Sequence, residues 1–218
     1  MLASLDCRWV SHPHDVAHAE WKPLQLAVAD RIGLSTPDTL ITNDSAAARD
    51  FARGGGPVVC KPFSSIAFTE GDSTRIPFTT IMDADGLDDP ATGKALTVTA
   101  VLLQRWVPKR CEARVVVAGN TVLGVAINAG SERAGIDWRT DYAHLRYTPI
   151  TVPRAIATRL PHYLATFGLT FGVFDFVLTP DDEWIMLECN PAGQWLWLHH
   201  ATNLPIPAAI ADHLLTPT

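Results

Sequence analysis

FGVFDFVLTPDDEWIMLECNPAGQWLW, residues 171–197, decides how this chain folds. Two apolar runs, FGVFDFVLT and EWIMLECN, flank a Pro-Asp-Asp turn signal and predict an antiparallel hairpin. With Asp181-Asp182 as the turn, Pro180 faces Glu183, and counting back along both strands sets Asp175 opposite Glu188. Directly opposed like charges in a half-buried sheet are unfavourable by ~0.2–1 kcal/mol unless a cation lies between them. Asn190 is two residues past Glu188 and shares its face. Two carboxylates and an amide oxygen form an all-oxygen set that suits Mg2+, which keeps waters and shares its shell with phosphates. The alternative is a set of surface polar groups on a solvated sheet face. The apolar strands around them and the NPAGQWLW continuation weigh against it.

Upstream, EARVVVA and TVLGVAI are joined by Gly119-Asn120, a two-residue loop suited to a primed turn, and predict another hairpin. Arg114 shares a strand face with Glu112 there. Residues 129–150 read as a long loop, a helix is expected from about Pro153 to Phe167, and the tail from Pro205 to Leu215 is expected to be helical. Earlier, the 3.6-residue pattern from Lys22 runs to a Gly33 stop, TLIT is extended, and Asn43 is expected to cap a helix through Ala52. A GGGP break leads into the strand VVCK. Residues 62–94 read as turn-rich and acidic, with a short strand around Phe78 to Met82. A buried strand is expected over Thr97 to Gln104, followed by the hinge-like RWVPKR. Hairpins with few helices between them indicate an α+β protein built on antiparallel sheet.

The chain has 218 residues, is 47% hydrophobic and carries a net charge of −6. That composition excludes disorder and argues against a general nucleic-acid or anionic-membrane binder. No apolar stretch approaches the roughly 18 residues of a membrane span, and Asp6 and Arg8 interrupt any secretory signal, so a cytoplasmic protein is expected. Cys7, Cys60, Cys111 and Cys189 are far apart and read as reduced thiols. From Arg105 to Arg146 there are seven basic residues, Arg139 among them, against Glu112, Glu132, Asp137 and Asp141, which predicts an anion-binding stretch. Lysines number only four, and Lys61, closing VVCK, points to a ligand phosphate as readily as to solvent. His12, His14 and His18 lack a fourth ligand and read as a solvated linker. DADGLDD, residues 83–89, fails the calcium-loop pattern and reads as a polar turn. Trp195 and Trp197 could stack on substrate or fill core.

Together EWKPLQLAVADRIGLSTPDTLITND, VVCKPFSS, LLQRWVPKRCEARVVVAGN, DWR and the 171–197 stretch resemble the ATP-grasp ligases. The Gln-Trp continuation resembles their ribosomal-peptide maturase branch, the makers of graspetides such as microviridins. The resemblance implies an ATP-grasp fold of two α+β lobes with largely antiparallel sheets and ATP between them. Residues 1–21 would be a connecting arm, 22–104 the small lobe and 105–218 the large lobe. It implies that Lys22 and Lys61 hold ATP phosphates, and that the backbone of Gln104, Arg105, Trp106 and Val107 reads adenine. By the same resemblance Asp175, Glu188 and Asn190 bind Mg2+, Arg114 meets the transferred phosphoryl group, and Arg139 binds phosphate or acceptor.

The activity it implies is ATP-dependent formation of side-chain esters or amides in a precursor peptide, through an acyl phosphate. An amino-acid ligase of the glutamate-ligase or glutathione-synthetase type is the alternative, and an inactive nucleotide- or peptide-binding module is another. Two departures stand out. The family normally carries a further domain before the KPLQL helix, whose absence would leave a face for self-association or a partner. Residues 64–96 also contain no glycine-rich phosphate-covering loop.

Overall fold

The computed structural model describes residues 5, 7–61, 68–70, 73–75, 80–82, 84–131, 135–136 and 138–216. Phe78, Asp83, Glu132, Arg133, Asp137 and part of the stretch 64–96, expected to lack a glycine-rich phosphate-covering loop, lie outside them. Backbone contacts divide the chain into two compact units: 1–36, 109–130 and 144–218 form one, and 37–108 with 131–143 the other. These units differ from the lobes drawn from the sequence. Residues 22–36 group with the C-terminal half because helix α2 (Lys22–Arg31) packs on its last strand, and 131–143 group with the N-terminal half.

The larger unit is a five-stranded, wholly antiparallel sheet in the order β11-β10-β7-β8-β9. Its strands are β7 (Cys111–Ala118), β8 (Thr121–Ala129), β9 (Leu145–Ile150), β10 (Phe171–Leu178) and β11 (Trp184–Asn190). Every residue of β7 and β10 is buried, so both sheet faces are covered. That explains why β10 reads as a near-continuous apolar run, with only Asp175 charged, instead of alternating. One face, with Val115, Val117, Phe174 and Phe176, packs under α1 (Pro13–Ala19), α2, α6 (Arg154–Ala157) and α7 (Arg159–Thr166). The opposite face, with Val116, Val125, Phe171 and Val173, is covered by α8 (Leu196–Thr202) and α9 (Ile206–Leu215). Farther along that second face lie the charged residues.

Several expectations change. Residues 13–19 are helix rather than arm: Pro13 occupies a first-turn position where its missing N–H is no loss, and Ala19 is buried. The expected loop 129–150 ends in β9, an edge strand that tolerates Pro149. The helix expected over 153–167 is two helices meeting at Thr158. Helix α8 had no sequence counterpart, although Asn203, in the left-handed conformation at its C-cap (φ 58°), is a usable stop signal.

The smaller unit has a four-stranded antiparallel sheet, β1-β6-β2-β5, built from β1 (Thr39–Thr42), β2 (Val58–Lys61), β5 (Thr80–Met82) and β6 (Val101–Arg105). A separate ribbon pairs β3 (Phe68–Glu70) with β4 (Ser73–Arg75). Helix α3 (Ser45–Arg53) is capped by Asp44, one residue past the expected Asn43; its Oδ1 accepts from the N–H of Ala46 at 2.8 Å. The acidic DADGLDD stretch, expected as a polar turn, carries helix α4 (Ala84–Asp88), and α5 (Pro90–Leu96) follows. Leu87 and Leu96 seal the core against Ala48, Val58 and Leu103. The strand expected from Thr97 begins at Val101.

Cys111 and Cys189 are buried, Cys60 is half-buried and Cys7 is exposed. Desolvation pushes up the thiols of Cys60, Cys111 and Cys189, and the Asp175 and Glu188 carboxylates raise Cys189 further. Since the thiolate is the nucleophile, iodoacetamide at about pH 8 is expected to label Cys7 first and Cys189 only on unfolding. Mass spectrometry of the native protein reads this, and equal labelling of the two would contradict the packing.

Candidate functional site

The 171–197 hairpin places Asp175 opposite Glu188, as the sequence count expects, by a different route. Near the turn Leu178 pairs with Trp184, and Thr179 N donates to Glu183 O at 3.0 Å. The loop is therefore three residues long, with Asp182 left-handed at φ 62°. Alone, that loop would put the two carboxylates out of register. A bulge at Leu187 restores it, since Phe176 pairs with Met186 while Asp175 pairs with Glu188.

Asp175 also faces Arg114 across β7. Arg114 Nη1 donates to both Asp175 oxygens, at 2.8 and 3.0 Å, and Asn190 Nδ2 donates to the second at 2.8 Å. Glu188 accepts from Lys22 Nζ at 2.5 Å. Each carboxylate thus has a cationic partner. The like-charge conflict that the sequence left to a metal ion is already relieved by two side chains. Lys22 reaches Glu188 because Gln25, one turn on in α2, clamps the helix to β11: its Nε2 donates to Cys189 O (2.8 Å) and its Oε1 accepts from Cys189 N (2.9 Å).

Sequence reasoning assigned no role to Lys109 and Glu112, which form an ion pair with both side chains only 10% exposed. Glu112 lies on the same strand face as Arg114. The spacing K-x-x-E-x-R was the available signal. Three pairs, Lys109–Glu112, Arg114–Asp175 and Lys22–Glu188, therefore lie within this unit. Among the described residues no three His, Cys, Asp or Glu side chains gather as a metal cluster. His18 instead packs edge-on against Trp21 and Phe167.

In the smaller unit, Lys61 Nζ donates to Gln104 Oε1 at 2.7 Å, and Gln104 Nε2 donates to Thr39 Oγ1 at 3.1 Å. Gln104 is thus a buried side-chain anchor for Lys61. The N–H groups of Arg105 and Trp106 donate to Asp38 O (2.8 Å) and Pro57 O (2.9 Å). An adenine edge beside this strand would have to be read by other backbone groups of residues 104–107. The Arg105 side chain binds the carbonyls of Phe51 and Gly56, both at 2.6 Å, and lies over the Phe51 ring. Arg139 is half-buried in the 3-10 turn Trp138–Thr140 of this unit. Trp195 and Trp197, whose role the sequence left open, pack partly buried against the core under α8, and Trp197 also meets Arg114.

No family model matches the chain, and no curated protein does. Solved structures do. The chain superposes with a TM-score of 0.86 on a RiPP-associated ATP-grasp ligase from Chryseobacterium gregarium, crystallised with ADP and leader and core peptides, at 28% identity. That match covers 95% of this chain and 63% of that one. The macrocyclase MdnC from Microcystis aeruginosa MRC, bound with precursor peptide MdnA, gives 0.85 at 30% identity, covering 99% and 66%. D-alanyl-alanine synthetase A from Vibrio cholerae, at 14% identity and a TM-score of 0.61, shares the fold alone. The chain spans about two thirds of the length of the peptide-ligase structures it matches. With its two antiparallel sheets and this likeness over nearly all its residues, the chain has the ATP-grasp fold, and the structures it resembles at 28–30% identity include an ATP-grasp ligase and a macrocyclase crystallised with their peptides.

Proposed function

We propose that this chain uses MgATP to activate side-chain carboxylates of a ribosomally made precursor peptide and joins them to hydroxyls or amines of the same peptide. The observation that carries the reading is the cluster of Asp175, Glu188, Asn190, Arg114 and Lys22 in one unit of an ATP-grasp fold. Asp175, Glu188 and Asn190 are an oxygen-donor set without sulfur or imidazole, which fits Mg2+ and not a softer ion. These three residues would hold the metal, which when bound neutralises phosphate charge. Lys22 and Lys61 would hold phosphates, the backbone around Gln104–Val107 the adenine, and Arg114 the transferred phosphoryl group. Arg139 would hold the acceptor peptide.

In the first step a peptide carboxylate oxygen attacks the γ-phosphorus and ADP leaves. In the second a hydroxyl or amine attacks the acyl carbon, phosphate leaves, and the nucleophile's proton is released. Positioning and charge stabilisation carry both steps, so neither a Ser-His-Asp nor a Cys-His set is needed.

The test follows the acceptor. Incubation with ATP, Mg2+ and a Thr- and Asp/Glu-rich precursor peptide is expected to lower the peptide mass by one water per bond. Arg139→Ala is expected to reduce product more than ATP binding. Amino-acid addition to the peptide instead would favour the amino-acid ligase of the glutamate-ligase or glutathione-synthetase type. No mass change with nucleotide bound would favour a binding module.

A further inference from the structure

We propose that Gly193 is a positioning residue: lacking a Cβ, it lets the loop after β11 lie against the sheet so that the Gln194 carbonyl and the Trp197 ring hold Arg114 in place. A Cβ on Gly193 would stand 2.7 Å from Val173 Cβ, 2.9 Å from Val173 Cγ2 and 3.0 Å from Asn190 Cβ. Two of these are Cβ atoms bonded directly to the backbone of β10 and β11, which cannot swing away, so the loop itself must lift. The loop is pinned just there, with Gly193 N donating to Asn190 O at 3.1 Å.

The next residue does the holding. Gln194 O accepts from Arg114 Nε at 3.3 Å and Nη2 at 3.1 Å, on the guanidinium edge away from Asp175. Arg114 Cζ lies 5.9 Å from the Trp197 ring centroid, within cation–π range, and Tyr147 stands edge-on to Trp197 at 5.0 Å. Asp175 alone fixes one nitrogen of a fork. Carbonyl and ring fix the remaining edge and the plane, which a group meeting a planar array of phosphoryl oxygens requires.

The inference rests on the reading of Arg114 as the group that meets the transferred phosphoryl. It is tested on the full chain with Mg2+ by calorimetry, comparing adenosine 5′-(β,γ-imido)triphosphate with ADP, which lacks the terminal phosphoryl. Gly193→Ala is expected to weaken the triphosphate about tenfold while ADP stays within about twofold, and to add nothing in an Arg114→Ala background. Trp197→Leu, which tests the same hold without a backbone clash, is expected to weaken the triphosphate about two- to fivefold with ADP unchanged. Parallel loss of both nucleotides would make Gly193 merely structural and overturn the proposal. So would unchanged binding, or additivity with Arg114→Ala. Wild-type protein that binds neither nucleotide would overturn the reading of Arg114 itself, and the role of Gly193 with it.

Discussion

Asp175→Ala is expected to destabilise the larger unit by about 3–5 kcal/mol, the usual consequence of removing one partner of a buried ion pair. Arg114 and Asp175 have side chains only 9% and 13% exposed, with two nitrogen–oxygen contacts at 2.8 and 3.0 Å. Without the carboxylate, Arg114 keeps only the Gln194 carbonyl and the Trp197 face among these contacts, and Asn190 Nδ2 loses its acceptor. At about 2–4 °C per kcal/mol for a chain of this size, the melting temperature should fall by roughly 6–20 °C. Thermal or urea unfolding reads the effect. The companion variant Asp175→Ala/Arg114→Met should recover most of the loss, because an apolar side chain in place of the guanidinium removes the stranded charge. A loss below about 1 kcal/mol, or a double variant no better than the single, would show that the pair is not buried as described.

The Asp175–Glu188 pairing came from counting back from a two-residue turn. The true loop has three residues, and the bulge at Leu187 compensates for the extra one. Strand alternation limits register to a choice of faces, so two one-residue departures cancel, and a bulge in an apolar run leaves no compositional mark. Arg114 was placed correctly on its strand, but its pairing to Asp175 is a long-range register between β7 and β10 that no local pattern encodes. Lys22 was expected with the phosphates of a small lobe, yet its helix belongs to the other unit because Gln25 bonds to the backbone of Cys189, 164 residues away. Helices α4 and α5 hid behind their acidic, Gly- and Pro-bearing sequence. They are held by the buried Leu87 and Leu96 more than by propensity.

Glu188→Gln is expected to weaken MgATP binding by on the order of 100-fold while the fold survives, the reverse balance from Asp175→Ala. Glu188 is the more exposed carboxylate, its side chain 27% exposed, and a glutamine oxygen can still accept from Lys22 Nζ. Its neutralisation removes half the formal negative charge of the oxygen set, and a hard divalent ion is held chiefly by that charge. A metal ion held here would compete with Lys22 and Arg114 for the oxygens of Glu188 and Asp175. Phosphates arriving with the metal offer both cations new anionic partners, so metal and nucleotide should enter together and neither should bind well alone. Calorimetric titration of ATP into wild type and Glu188→Gln, with and without Mg2+, separates these contributions. Wild-type protein should lose most of its ATP affinity without Mg2+, and the variant should fall below wild type only where Mg2+ is present. Equal wild-type affinity with and without the ion would sink the metal assignment of Asp175, Glu188 and Asn190, and leave the two carboxylates as ion-pair partners of Arg114 and Lys22.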